Sequence, residues 1–582
     1  MDNQKEDKMK TTNIGNASYD YVYNLLTMIK PYDYRSYNPI TVTLLTYIFK
    51  TLKKDFNTCK FQYEDVISYF KETDHEIVYM FEEYINKDIW EHVKEISNDY
   101  RDEVYDYILL NNQWYEIFGN KVEVTPDSII DLSVRLFGDM TNKNIGDVCC
   151  GVGTFLTKCY SLNNHAQYYG IEINSSAYDI LNIKNRVCDK ALNIELGDAF
   201  FPTKFNEQKY DIVFANYPFG LRYGSIESFI MVNKERYPEL MKKPSDWIFN
   251  FKILESLNTN GKAIVTMTTG STFNSFDYRI RKYFVENNYI DTVISLAPKL
   301  YDYAPIPTVL MILNKNKKNR DINMVDASNI YHAGRRKNIL SASDINYIVN
   351  IIGMESESSA VVSNDEIINN DCNLFPKRYI DKPVNYTNGV KLDEVIKSIT
   401  RGAPCKAAEL DKISSIEETD YQYLMLSNIN NGIVDEELPY ITKIEDNYQK
   451  YCVKNNSLVL SKMGAPIKMA VLNINENKKV LANGNLYVLE LDTERINPYY
   501  LNAFFNSEDG KNALKRIMVG TTIPSIPIKE LKNLIVPLPD MDDQNKIANE
   551  YMNTLDEIKL LNLKLASLKD KLNYIYDEGE VK

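Results

Sequence analysis

Between about Val122 and Asn314 short apolar runs alternate with stretches of helical periodicity, and this alternation restricts the possible folds more than any other feature. The runs are Asn144–Val148, Tyr168–Glu172, Tyr210–Ala215, Gly261–Met267, Asp291–Leu296 and Thr308–Leu313. Each has the length of a buried strand, and the segments between them repeat apolar residues at three and four positions. The pattern predicts a doubly wound α/β sheet with its ligand site at the C-terminal strand ends.

With 582 residues the chain exceeds a single hydrophobic core, so several domains are expected. From about Ser18 to Ile117 the texture is helical, as in Ile40–Phe49 and Val104–Leu110, with few glycines or prolines; residues 1–15 are polar and read as disordered. Residues 315–385 read as a smaller appendage to the α/β region. From Lys391 to Pro539 helical periodicity weakens, and strand-like pieces appear at Leu458–Ser461 and Leu486–Leu491. From Asp542 to about Tyr576 the chain reads as one long helix with a narrow seam of Ile558, Leu561, Leu565, Leu568, Leu572 and Ile575. The expected organisation is multidomain: a helical N-terminal domain (1–118), a Rossmann-like α/β domain (119–385), an α+β domain (386–541) and a C-terminal long helix (542–582).

Some chemistries lose support at once. Eight cysteines lack C-x-x-C spacing and the four histidines lack metal-ligand spacing, so neither a zinc site, a disulfide framework nor a Ser-His-Asp mechanism is indicated. No apolar run approaches the ~20 residues of a membrane span. The charged N-terminus lacks an apolar signal region, and a cytoplasmic protein without a membrane partner is expected. A net charge of −13 confines any phosphate-binding surface to a local cluster of lysine and arginine.

Four elements in order carry the chemical signal. Asp147-Val148-Cys149-Cys150-Gly151-Val152-Gly153-Thr154-Phe155 follows a predicted strand and opens a helix, and its glycines let the backbone turn sharply beside a ligand. Glu172 ends the next strand, where a carboxylate can accept both hydroxyl protons of a ribose. In Gly197-Asp198-Ala199-Phe200 a turn acid can receive the exocyclic amine of an adenine. Each acid alone is as well explained by a solvated strand end or a helix cap. Asn216-Tyr217-Pro218-Phe219 follows the fourth run, where Asn and Pro also make ordinary turns. As a site it has a specific chemistry. An amide oxygen and a backbone carbonyl that accept both N–H bonds of an aromatic amine draw its nitrogen toward tetrahedral geometry. An aromatic ring can stack on the extruded base.

This order resembles the gamma-class amino-methyltransferases, and among them the modification subunit of type I restriction–modification systems, most strongly over residues 120–380. Val124-Thr125-Pro126 looks like the family's element at the methionine end of the cofactor. Asp147 to Phe155, with Cys150, Gly151, Gly153 and Thr154, resembles its cofactor loop. Glu172 resembles its ribose acid, Asp198-Ala199 its adenine side, and Asn216-Tyr217-Pro218-Phe219 its Asn-Pro-Pro-Phe/Tyr catalytic motif. Ser245-Asp246-Trp247-Ile248-Phe249 resembles the helix after that motif. The last third resembles half of a type I specificity subunit, opening at Lys391-Leu392-Asp393-Glu394-Val395 and closing at Gly520–Ile526 and Ile535–Pro539, followed by a spacer helix.

The resemblance implies a class I methyltransferase fold and S-adenosyl-L-methionine as cofactor. It further implies site-specific methylation of adenine N6 in double-stranded DNA, read by a built-in target-recognition domain. Arg401, Lys406, Lys443, Lys454, Lys462 and Lys468 are its candidate DNA contacts, although solvated surface charge is the plainer account of any single one. The helical seam offers either a homodimer or a helix folded back on its own chain, and DNA cutting would need a separate restriction subunit. Two positions depart from the family, Val148 and Tyr217 standing where proline is usual. Tyrosine keeps the backbone carbonyl but not proline's stiff φ. The competing readings are a catalytically silent DNA-binding or regulatory homologue and an RNA or protein-amide methyltransferase.

Overall fold

The computed structural model describes the chain except residues 1, 33–37, 56–59, 112–113, 116, 119–123, 221–223, 234–245, 302–305, 335–336, 381–385, 406, 431, 436, 465, 475–476, 519–523 and 579–582. Ser245, Lys406 and Gly520–Ile523 of the sequence reading therefore lie outside the described residues. Two compact units result, Met1–Ile380 and Asp381–Lys582. Among the described residues no helix is long and apolar enough to cross a membrane, and no cluster of His, Cys, Asp and Glu could hold a metal.

The first unit is built on strands β1 (Asn144–Val148), β2 (Gln167–Glu172), β3 (Leu192–Leu196), β4 (Tyr210–Ala215), β5 (Leu257–Thr268), β6 (Ile290–Leu296), β7 (Thr308–Asn314) and β8 (Asp321–Ala327). A ninth strand, Ser359–Ser363, completes one sheet in the order Ser359–Ser363, β8, β6, β7, β5, β4, β1, β2, β3. β1 to β5 run parallel, β7 is antiparallel to both β5 and β6, and β8 is parallel to β6. Helices Thr154–Leu162 and Ser175–Val187 make the crossovers β1→β2 and β2→β3. The C-terminal ends of β1, β2 and β4, adjacent in the sheet, thereby gather the loops of interest at one edge.

The segment 315–380 is not an appendage. β8 and Ser359–Ser363 extend the central sheet, and Ile322, Met324, Ala360 and Val362 join its core. Their short, polar-interrupted runs hid them from a search for continuous apolar strands. Of residues 1–15, read as disordered, residues 2–15 belong to the helix Asp2–Ile29. On this helix Ser18, Tyr21, Val22, Leu25 and Leu26 are buried. The core of the N-terminal helices also contains Val152, Ile180 and Ile183, which belong to the loop after β1 and to the Ser175–Val187 helix. Arg186, with its side chain 3% exposed, clamps the same contact by pairing with Asp74 at 2.8 Å and Glu76 at 2.7 Å.

In the second unit the four-stranded sheet runs Ile396–Arg401, Leu486–Leu491, Ser457–Ser461, Met469–Leu472. A five-stranded sheet contains Tyr421–Leu424 and Lys479–Ala482 in parallel. Gly389–Lys391 pairs antiparallel with Ile535–Pro537, which ties together the two ends of this unit. The helix Met541–Glu578 follows; Gln544 and Ala548 are buried, whereas Leu561, Leu565, Leu568 and Leu572 are exposed.

Candidate active site

The loop after β1 turns on left-handed residues, Cys149 (φ 64°), Gly151 (φ 54°) and Gly153 (φ 78°). At Gly153 a Cβ would meet Leu181 Cδ1 at 2.2 Å and φ is 78°, so glycine is favoured where the Thr154–Leu162 helix starts. The Gly151 N–H is donated to Glu172 Oε2 at 2.7 Å, and the Asn174 N–H to Oε1 at 2.8 Å. These two bonds fix a buried carboxylate at the tip of β2 and leave lone pairs for further donors.

Behind the loop Asp147 is buried, and its Oδ1 has no hydrogen-bond partner. Burial, with the Glu172 carboxylate second, pushes its carboxyl well above the usual range. Burial and then Glu172, Asp147 and Asp198 likewise push the Cys149 thiol up, which disfavours the thiolate a nucleophile would need. Burial behind the loop thus favours the neutral forms of both groups.

Asn216 directly follows β4. Its Nδ2 donates to Thr125 Oγ1 at 2.8 Å, while its Oδ1 accepts from the hydroxyls of Thr266 and of Tyr301, the latter at 2.9 Å. Tyr217 is turned into the core, where its ring stacks on Phe249 with centroids 4.4 Å apart. The Gly220 N–H at the end of the motif is donated to Asp246 Oδ1 at 2.9 Å, so the acid of the Ser245–Phe249 segment anchors the loop. Phe219 is half-buried and meets Tyr301 edge-on at 5.6 Å.

A cavity of about 660 Å³ lies against these elements, with Val124, Thr125, Cys150, Gly151, Thr154, Glu172, Asn216 and Pro218 on its wall. The remaining expected site residues stand elsewhere. Pro126 starts the Asp127–Phe137 helix, and Phe155 is stacked on Phe214 in the core at 4.6 Å. Asp198 Oδ1 accepts the Phe200 N–H at 2.9 Å, and the carbonyl of buried Ala199 accepts a hydrogen bond from Asn206 Nδ2. Asp147, Gly153, Tyr217 and Phe219 support the wall from behind or beside it. The sequence reading missed Asn38, Tyr84 and Asn174, which also face the cavity. The Asn38-Pro39 pair marks a helix start, with Asn38 Oδ1 capping the Thr41 N–H, but nothing local says that this start meets the loop after β1.

The residues fit the cofactor that the resemblance implies. The volume suits a nucleoside-sized ligand, and Glu172 is a held acceptor for vicinal hydroxyls on the cavity wall.

In the second unit the candidate DNA contacts separate into two groups. Lys454 is bound by both oxygens of Glu490 at 2.9 Å, Lys443 lies 3.8 Å from Glu445, and Lys468 donates to Leu426 O and Asn430 Oδ1. Arg401 and Lys462 form no ion pair among the described residues.

A family model described as N-6 DNA methylase matches residues 97–386, and one described as type I restriction modification DNA specificity domain matches 384–570. The methylase subunit of the type I restriction enzyme MpnII of Mycoplasma pneumoniae is 24% identical over 284 residues, 44% of this chain and 52% of that protein. The HindI methylase subunit of Haemophilus influenzae is 24% identical over 340 residues, 54% of this chain and 76% of its own. The MjaVIII methylase subunit of Methanocaldococcus jannaschii is 28% identical over 340 residues, 53% and 57% of the two chains. The chain thus spans between about half and three quarters of the length of these relatives. In fold it is similar to the type I restriction-modification methyltransferase subunit of Streptococcus thermophilus, with a TM-score of 0.54, 20% identity, and coverage of 62% of this chain and 99% of that one.

Proposed function

We propose that this chain, which belongs to the N-6 DNA methylase family over residues 97–386 and carries a type I restriction modification DNA specificity domain over 384–570, methylates adenine N6 at a specific site in double-stranded DNA. The observation that carries the reading is Asn216, whose carboxamide is held by Thr125 on the wall of the cavity that also holds Glu172. S-adenosyl-L-methionine supplies an electrophilic methyl group when bound. Glu172 binds the ribose of that cofactor, and the backbone of the Cys149–Gly153 turn lets it approach closely. Asn216 Oδ1 and the Tyr217 carbonyl accept the two N–H bonds of the target amine, which concentrates its lone pair on nitrogen. Phe219 stacks on the extruded base. No ionised base is required, in keeping with a site without histidine.

The second unit reads the DNA. Arg401 and Lys462, free of carboxylate partners, are its leading phosphate or base contacts, whereas Lys454 and Lys443 are held by glutamates. Two chains pair through the exposed leucines of the Met541–Glu578 helix, so that two half-sites are read together. A separate restriction subunit supplies any cutting. Incubation with methyl-labelled cofactor and varied genomic DNA, followed by methylation-aware sequencing, tests the whole reading. The expected result is label at N6 of adenine within one sequence; label in RNA alone, or none, rejects it.

A further inference from the structure

The Asn216 carboxamide oxygen is fully subscribed. An amide oxygen has two lone pairs, and here Thr266 Oγ1 and Tyr301 OH each donate to it. The nitrogen side is fixed as well, because Nδ2 donates to Thr125. A base amine that is to use Oδ1 must therefore displace one hydroxyl.

The two donors are not equivalent. Thr266 is wholly buried within β5, a central strand, and its β-branched side chain is stiff. Tyr301 is buried too, but it stands on the connection between β6 and β7 rather than in a strand, and its ring meets Phe219 edge-on at 5.6 Å with planes at 86°. Tyr301 thus does two things that the reading above asks of a target base, giving a hydrogen to Asn216 Oδ1 and packing a ring against Phe219. We infer that Tyr301 is a latch that fills the base position in the DNA-free protein and yields it to the extruded adenine. Thr266 stays and continues to orient the amide. The exchange conserves hydrogen bonds at Oδ1, one O–H donor leaving as one N–H donor arrives, so the latch opposes entry only by the contacts of Tyr301. Tyr301 is a positioning residue here, acting through Asn216.

The inference rests on the proposed adenine methylation, and its test separates the two. Steady-state transfer to DNA carrying the methylated sequence is compared for the wild-type protein, Tyr301→Phe and Thr266→Val, with S-adenosylhomocysteine binding by calorimetry as the check of folding. Removing the Tyr301 hydroxyl removes a competitor for Oδ1, so the KM for DNA in Tyr301→Phe is expected to fall roughly 2- to 10-fold, the worth of one net hydrogen bond. Thr266→Val is expected to act in the other direction, lowering kcat through a misoriented amide without lowering KM. An active wild-type protein whose Tyr301→Phe variant keeps or raises its KM overturns the latch alone. A wild-type protein that methylates no adenine overturns both.

Discussion

The Tyr217 hydroxyl donates to Oδ1 of Asn250 at 2.9 Å, deep beneath the Asn216–Phe219 motif. Asn250 passes the connection on, its Nδ2 reaching Met267 Sδ at 3.2 Å. Where the resembling motif has proline, stiffness comes from a ring closed on the backbone. Here it comes from a side chain locked in the core by a hydrogen bond and by Phe249.

Tyr217→Pro should therefore weaken the protein. Loss of a buried aromatic side chain costs about 3–5 kcal/mol, and Asn250 Oδ1 would lose the Tyr217 hydroxyl. Tyr217→Phe should cost about 1–3 kcal/mol through that lost partner alone. Urea unfolding gives both values, and methyl transfer should fall in Tyr217→Pro. A proline variant more active than the wild type would show that packing does not substitute for the proline ring.

Asp147 should make stability depend on pH in the sense opposite to a salt-bridged acid. Burial, then Glu172, raises its folded-state pKa. Above the ordinary carboxylate value the unfolded chain has released this proton while the folded chain still holds it, so stability falls as pH rises. Asp147→Asn, which has no proton to lose, should be more stable than the wild type at pH 8 and should flatten the decline. Thermal unfolding without cofactor between pH 5 and pH 8 measures it; parallel curves for the two proteins would contradict the assignment.

The parts of this arrangement that a sequence can display are those written in local chemistry. The Gly151 and Gly153 turns, the Glu172 strand end and Asn216 after β4 are each announced by their neighbours, because backbone freedom and strand period are local properties. What escaped is set by distant partners. β8 was missed because Asp321-Ile322-Asn323-Met324-Val325-Asp326-Ala327 mixes polar and apolar residues, and its burial depends on β6 and on Ser359–Ser363 on either side. Tyr84 and Asn38 reach the cavity only because the N-terminal helices pack on Ile180 and Ile183. The engagement of Lys454 depends on Glu490, a neighbour across strands that no spacing rule reveals.

Lys184 joins the same helical contact from the other side and gives a second pH signature. It is fully buried below the Tyr115 ring, 5.3 Å from Nζ to centroid. Burial brings its pKa down to about 7, against the opposing pull of Asp127. Between pH 7 and about 10, near the free-lysine value, the unfolded chain holds a proton that the folded chain has released, so stability rises with pH in that window. Lys184→Met should abolish this rise and should be the more stable protein near pH 6 by about 1–3 kcal/mol, since no charge is then buried. Chemical unfolding at pH 6, 7.5 and 9 resolves the two slopes.

Within the second unit the lysines and arginine should differ in their effect on DNA binding. Arg401→Ala and Lys462→Ala should each weaken binding and lower the slope of log affinity against log salt by about 1 if the residue meets a phosphate. Lys454→Ala frees Glu490 and loses only a partly exposed pair, so its slope should stay within experimental error of the wild type. Fluorescence anisotropy over a salt series makes the comparison. A larger slope change for Lys454 than for Arg401 and Lys462 would reverse the assignment of the DNA face.

The helix Met541–Glu578 carries Leu561, Leu565, Leu568 and Leu572 at spacings of four, three and four, each at least 50% exposed. A stripe at that spacing makes a narrow seam, the geometry by which two helices interlock rather than one by which a helix lies on a sheet. Burying these four leucines against their copies would remove several hundred square ångströms of apolar surface from water, each side chain contributing about 1.5–3 kcal/mol on full burial. Sedimentation velocity should find a dimer in the wild-type protein and a monomer when the four leucines are replaced by serine. Cofactor binding in the first unit should survive that replacement, because the seam lies in the other unit. A wild-type protein that stays monomeric at micromolar concentration, or a serine variant that stays dimeric, would remove the seam from the account of assembly.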